Sequence, residues 1–239
     1  MKAIKKVLIR NNKHYYWKEG DLHTDAGLIK EEDLEKDTSE VKSHIGKEFL
    51  MFKPSFLDNI RKIIRGPQTL LDKDLAIITF YSGIDKNSKV LDAGSGCGLL
   101  AICLARIAKE VVTYDRNKKH IKLTKKNIEF LNIKNIEVKE KDIYEGIDEQ
   151  DLDLVTLDLP EPWHALDHVH NALKNGSYLA TYLPTITQVK ELVSKAEEKF
   201  FIEKTVEILE REWIVEGRKV RPKSHMQGHT AFITILRKI

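Results

Sequence analysis

Residues 90–98 read Val-Leu-Asp-Ala-Gly-Ser-Gly-Cys-Gly, and Asp115 closes a second apolar run, Val111-Val112-Thr113-Tyr114. The spacing predicts a strand, a glycine turn opening a helix, a second strand, and a carboxylate that accepts from both ribose hydroxyls of a nucleoside cofactor. Gly94, Gly96 and Gly98 let the backbone approach that ligand. A pyrophosphate calls for G-x-G-x-x-G and a free helix N-terminus, whereas these glycines alternate as G-x-G-x-G. Asp92, two residues before them, would repel phosphate and would suit an ammonium group or an ordered water beside one. The pattern therefore favours S-adenosylmethionine over a dinucleotide.

Outward from this turn, helix and strand patterns alternate. A helix from Asp72 precedes strand Lys89 to Ala93, helix Leu99 to Ile107 and strand Glu110 to Tyr114. A Lys-rich helix, Lys118 to Leu131, and strands Ile136 to Lys141 and Leu152 to Leu157 come next. Helix Trp163 to Leu173, strand Ser177 to Tyr182 and helix Ile186 to Phe200 complete the series. Such alternation implies an α/β fold, a mainly parallel seven-stranded sheet with helices on both faces. The ending departs from it: Ile202 to Leu209 and Thr230 to Leu236 lack an intervening helix and predict an antiparallel edge, joined by a long loop from Glu210 to His229. Before the sheet, short alternating runs such as Lys6 to Arg10 and His14 to Lys18 predict a small β-rich domain. A connecting helix, Pro54 to Ile64, follows it. The expected division is 1–64 for this N-terminal domain and 65–239 for a catalytic domain.

The chain has 239 residues and a net charge of +3, with 40 Lys and Arg against 37 Asp and Glu. Partner preference must therefore come from local charge. From Arg211 onward there are seven basic residues against two acids, a balance of +5 that could face phosphates. Cys97 and Cys103 have neither metal-ligand nor secreted-disulfide spacing, so a reducing cytoplasm and no metal are expected. The opening residues interrupt their apolar run with charge, and no window approaches a membrane span.

Ligands of open α/β sheets bind beyond the carboxyl ends of the strands. Asp92, Asp115, Asp142 and Asp158 each end one. Asp142 is placed to accept from an adenine amino group while Ile143 packs the ring; an acid after a strand is also often only a turn or helix cap. Asp158 opens Asp-Leu-Pro-Glu-Pro-Trp, whose two prolines hold the backbone extended and present Asp158 and Trp163 rigidly.

With these residues in place the sequence resembles the tRNA adenine-N1 methyltransferases that modify the T-loop, in their archaeal and bacterial form. The resemblance covers most of the chain. It rests on Arg65-Gly66-Pro67-Gln68, the Asp92 to Gly98 turn, the Asp158 to Trp163 segment, Tyr182-Leu183-Pro184 with Gln188-Val189, and Arg221-Pro222 followed by His229-Thr230-Ala231-Phe232. It implies a Rossmann-like class I methyltransferase fold, S-adenosylmethionine as cofactor, tRNA as substrate and a homotetramer. Gln68 is implied to contact the methyl donor, and Asp158 to lie at the target base as the catalytic residue. Ser95, Cys97, Leu99 and Arg116 join the cofactor set; His120 either joins it or stays solvated on its helix. Trp163 and Tyr182 are candidate stacking surfaces or core residues, and Arg218, Lys219, Arg221, Lys223 and His229 are candidate tRNA contacts. The sequence departs from the family pattern at Asp92 and Asp115, where Glu is common, at Cys97, where Ser is common, and at Ala231, where Gly is common.

Two competing readings accept the same turn. A small-molecule methyltransferase of the cobalamin pathway would leave the N-terminal β domain and the basic loop without a role. A non-catalytic tRNA-binding subunit would have no use for an intact Asp92, Asp115 and Asp158.

Overall fold

The computed structural model describes residues 2–66 and 69–239. It divides into two compact units, Met1–Ile64 with Glu129–Asn132, and Arg65–Ile128 with Ile133–Ile239.

The first unit contains β1 (Lys6–Arg10), β2 (Lys13–Trp17), β3 (Leu22–Thr24), β4 (Gly27–Ile29), α1 (Glu31–Leu34), β5 (Glu40–Lys42), β6 (Glu48–Phe52) and α2 (Phe56–Ile60). Four strands form an antiparallel sheet in the order β2-β1-β6-β5, and β3 pairs with β4 alone. Alternation in β6 places Phe49 and Met51 in a core with Leu8, Trp17, Ile29 and Leu34. The connecting helix is shorter than expected. Ser55 and Asp58 form a capping box at its start, but after Ile60 the bonds tighten to three-residue spacing, Lys62 to Asn59 and Ile63 to Ile60, which ends the helix.

The second unit contains α3 (Asp72–Tyr81), β7 (Lys89–Ala93), α4 (Leu99–Leu104), β8 (Glu110–Asp115), α5 (Lys118–Leu131), β9 (Ile136–Glu140), β10 (Leu152–Leu157), α6 (Leu166–Ala172), β11 (Leu173–Leu183), α7 (Ile186–Ala196), β12 (Phe200–Glu207), β13 (Trp213–Glu216), β14 (Lys219–Pro222) and β15 (Phe232–Lys238). Its seven-stranded sheet runs β12-β15-β11-β10-β7-β8-β9. The five strands from β11 to β9 are parallel, and β15 runs antiparallel to both β11 and β12. This is the mainly parallel seven-stranded sheet expected from the alternation, in the Rossmann-like arrangement that the resemblance implied. Central strands β7 and β10 are covered on both faces, so Leu91, Leu154 and Val155 are fully buried; each such side chain contributes about 1.5–3 kcal/mol.

Two segments differ from the sequence expectation. The stretch read as one helix from Trp163 opens instead with a 3-10 turn, Pro162–Ala165, before α6, and β11 already begins at Leu173. The stretch from Glu210 to His229, read as a long loop, contains the antiparallel hairpin β13–β14, turning at Gly217 with φ 54°. Trp213, Val215 and Val220 supply its strand propensity, while the exposed charges between them hid the alternation. Among the described residues no helix is long and apolar enough to cross a membrane.

Candidate functional site

Strand order reverses between β7 and β10, because β8 and β9 extend the sheet one way from β7 while β10 and β11 extend it the other. That reversal opens a crevice at the carboxyl ends. The Asp158 backbone N–H donates to the Ala93 carbonyl at 2.9 Å, holding the ends of β7 and β10 together. The turn then leaves β7 under tight control: Gly94 and Ser95 N–H groups both donate to the Tyr114 carbonyl, at 3.0 and 3.1 Å. Gly94 sits at φ 95°, and a Cβ there would stand 2.2 Å from the Asp158 carbonyl oxygen. Only glycine fits. Gly98, at φ 82°, caps α4, and a Cβ there would meet Thr124 Cγ2 at 2.8 Å.

Asp115 accepts from Ser95 Oγ at 3.2 Å, from the Gly96 N–H at 3.1 Å and from the Asn117 N–H at 2.8 Å. His120 Nδ1 lies 3.0 Å from the same carboxylate. Asp142 caps a short 3-10 turn, accepting from the Tyr144 N–H at 3.0 Å and from Arg116 at 3.2 Å. Asp115, Arg116, His120, Asp142 and Ile143 line one cavity of about 330 Å³ with Gly94, Gly96 and Cys97. Ser95 and Leu99 line a narrow crevice that continues from it. Gly98 lines neither and acts through the cap. A second cavity, about 490 Å³, is walled by Thr69, Leu71, Pro160, Tyr182, Gln188 and His229. Asp158 belongs to the wall of all three spaces.

Asp92 stands beneath the turn rather than in a cavity wall. It is buried, and its two oxygens accept from Thr113 and Thr156 on the flanking strands, both at 2.7 Å. Its effect on a ligand is therefore electrostatic rather than by contact. Burial pushes its carboxyl up to about 6, against the two threonine hydrogen bonds. Asp158 is raised to about 7, by burial first and then by the neighbouring charges of Asp92 and Asp115. No described residue donates a hydrogen bond to the Asp158 carboxylate, which belongs to the walls of the cavities.

Charge along the first cavity is uneven. Arg116, Lys119 and Lys141 stand in its wall with Asp115 and Asp142, whereas Asp158 is the sole charged residue among those described around the crevice at the glycine turn. A pyrophosphate at the turn would meet a carboxylate and no cation. A nucleoside carrying a cationic centre fits. Among the described residues no cluster could hold a metal ion.

The remaining sequence candidates divide. His229 lines the second cavity, with Nδ1 2.5 Å from Glu207 and Nε2 2.7 Å from the Pro184 carbonyl. Those two acceptors raise its pKa, Glu207 foremost. Tyr182 lines the same cavity. Trp163 does not line either cavity. It lies in the 3-10 turn Pro162–Ala165 and packs partly buried against the sheet core, with Lys195 Nζ 5.4 Å from its ring centre. Arg218, Lys219 and Arg221 are exposed on the hairpin and Lys223 just after it, and they line neither of these cavities. Gln68 lies outside the described residues. Sequence reading missed Thr124 and Asn127, which are fully buried on α5; Asn127 Nδ2 donates to the Cys97 carbonyl at 2.8 Å and so braces the turn. Their signal was two polar residues on the helix face that also carries Ile121 and Ile128.

A family model described as the tRNA methyltransferase complex GCD14 subunit matches residues 63–230. The chain belongs to that family. Methanocaldococcus jannaschii tRNA (adenine(57)-N(1)/adenine(58)-N(1))-methyltransferase TrmI is 33% identical to it, over 99% of this chain and 95% of its own length. The crystal structure of the tRNA (m1A58) methyltransferase TrmI from Aquifex aeolicus matches with a TM-score of 0.85 at 27% identity, covering 100% of this chain and 98% of that one. A SAM-dependent O-methyltransferase from Thermotoga maritima matches with a TM-score of 0.87 at 28% identity, over 100% and 94% of the two chains. The fold is thus shared with solved structures whose names give methyl transfer to oxygen and to the adenine of tRNA.

Proposed function

We propose that this chain is an S-adenosylmethionine-dependent tRNA methyltransferase that forms 1-methyladenosine at the T-loop adenine, position 58, with adenine 57 as a second target to be tested in the same assay. The observation that carries this reading is the place of Asp158, a carboxylate in the wall shared by a cavity of about 330 Å³ and a second cavity of about 490 Å³, which has room for an extruded base.

The cofactor, when bound, supplies an activated methyl group. Asp115 takes the ribose hydroxyls, Asp142 and Ile143 the adenine, and the glycine turn lets the backbone approach. Gln68 contacts the donor by family resemblance. The target adenine attacks through the in-plane N1 lone pair, so no base need remove a proton and alignment dominates. Asp158 accepts a hydrogen bond from the exocyclic amino group, which raises electron density at N1 and stabilises the cationic product. Tyr182 lines the cavity that receives the base, which must leave its stack to arrive. The reaction is tested with a tRNA transcript and labelled S-adenosylmethionine: label enters the transcript, and replacing both T-loop adenines by guanine abolishes it. Label that persists after both replacements refutes the reading.

Because Asp158 must be ionised to accept fully, its raised pKa sets a pH dependence. Below about 7 the free enzyme holds the proton, so kcat/KM for the donor rises as pH increases through about 7. A cation in the neighbouring cavity favours the carboxylate, so the limb in kcat lies at lower pH. Flat profiles between pH 5.5 and 8 would remove Asp158 from this role.

The exposed hairpin carries Arg218 and Lys219, to which no ion pair is assigned, while Lys223 pairs with Glu212. Replacing Arg218 and Lys219 together by Gln is expected to weaken tRNA binding and lower the slope of log K against log salt by about 1–2. An unchanged slope excludes the hairpin from the RNA surface. The reading also places the protein in the cytoplasm as a homotetramer, which spreads a substrate larger than either cavity over more than one subunit.

A further inference from the structure

Behind the second cavity lies a buried ion pair that the proposed chemistry does not use. Lys73 and Asp74 open α3 with side chains 6% and 0% exposed, and Lys73 Nζ donates to Asp74 Oδ1 at 2.7 Å. Lys73 also donates to Thr230 Oγ1 at 2.6 Å. The Tyr182 hydroxyl donates to Asp74 Oδ2 at 3.2 Å. An ammonium has only hydrogens to give and a carboxylate only lone pairs. These two ends fix the sense of the cluster: Lys73 gives hydrogens to Asp74 and Thr230, and Tyr182 turns its own to Asp74. Tyr182 and Thr230 line the cavity; the ion pair does not.

We propose that Asp74, itself fixed by Lys73 and through it by Thr230, is a positioning residue that holds the Tyr182 phenol with its hydrogen turned away from the second cavity, so that its oxygen meets the target base only as an acceptor. This rests on reading that cavity as the base site. An acceptor favours a base edge with an amino group, which has hydrogens to give, over the same edge without one. Asp158 is a second acceptor in the same wall, and the adenine amino group carries two hydrogens. Removing the phenol oxygen deletes one acceptor; removing the Asp74 charge frees the phenol to turn its hydrogen inward, where it opposes the amino group.

The test compares two full-length tRNAs, one with adenosine at the target position and one with purine riboside, which keeps N1 and lacks the amino group. The ratio of single-turnover rates on the two contains a difference in intrinsic nucleophilicity that is common to every variant. Tyr182→Phe and Asp74→Asn are each expected to lower that ratio by about tenfold, the loss of one hydrogen bond, while S-adenosylhomocysteine binding is unchanged. The double variant falls no further than Tyr182→Phe alone. Thr230→Val removes the second acceptor that holds Lys73 against Asp74 without unpairing the ammonium, and lowers the ratio in the same direction, which keeps the test open if Asp74→Asn does not fold. Variants that slow on both RNAs alike, with the ratio within about twofold of the parent value, overturn the proposal and leave the pair a brace of the fold. A parent protein that methylates neither RNA overturns the functional reading beneath it.

Discussion

Asp158→Asn is expected to lose about a hundredfold to a thousandfold in turnover and yet to melt at a higher temperature than the parent at pH 8. The loss follows from replacing an acceptor-only carboxylate by an amide that can also donate toward the base amino group. The gain follows from linkage. Asp158 holds its proton to about pH 7 in the folded state, above the usual carboxylate range. The unfolded chain therefore releases that proton first as pH rises from about 4, and the folded state loses stability until about pH 7. Above that the cost is fully present, and an uncharged amide escapes it. The side chain is partly exposed, which discounts the effect to about 1–3 kcal/mol. Binding of neutral S-adenosylhomocysteine should survive, and near pH 4 parent and variant should melt alike. Equal loss of cofactor affinity would assign Asp158 to the cofactor instead.

Gly94→Ala should be far more damaging than its size suggests. The new methyl group would stand 2.2 Å from the Asp158 carbonyl oxygen, at a φ of 95° that alanine rarely adopts. Backbone cannot swing aside as a flexible side chain would, so the ends of β7 and β10 must part and the Asp158 to Ala93 hydrogen bond is lost. We expect a destabilisation of about 3 kcal/mol or more, with both cofactor binding and turnover lost. Gly96→Ala is the control. Its φ is 54°, but the nearest atom to an added Cβ is the Gly94 carbonyl oxygen at 3.8 Å, so only the backbone cost of about 1–2 kcal/mol applies. Urea melts that rank the two variants equally would contradict the packing argument.

The parallel sheet was legible because strands buried on both faces are written as apolar runs ending in an acid or a glycine, as in Val90 to Gly94 and Leu152 to Asp158. The acids themselves did not declare which would touch a ligand. Asp92 and Asp115 each end a strand, yet Asp92 is taken by Thr113 and Thr156 from strands 21 and 64 residues distant, partners that no local pattern names. The place of Trp163 was left open between cavity and core for a related reason: two prolines fix the backbone locally but do not say which way the chain turns after them. The hairpin at Gly217 escaped notice because its strands are short and charged. The cluster behind Tyr182 was least legible of all, since Lys73 and Thr230 are separated by 157 residues and meet only when α3 packs near β15.

The central claim is tested most directly by incubating the purified protein with unmodified tRNA and S-adenosylmethionine, digesting the RNA to nucleosides and identifying the methylated product by mass and retention against standards. The account predicts 1-methyladenosine, derived from the T-loop adenine. No methylated nucleoside, or N6-methyladenosine in its place, would contradict it.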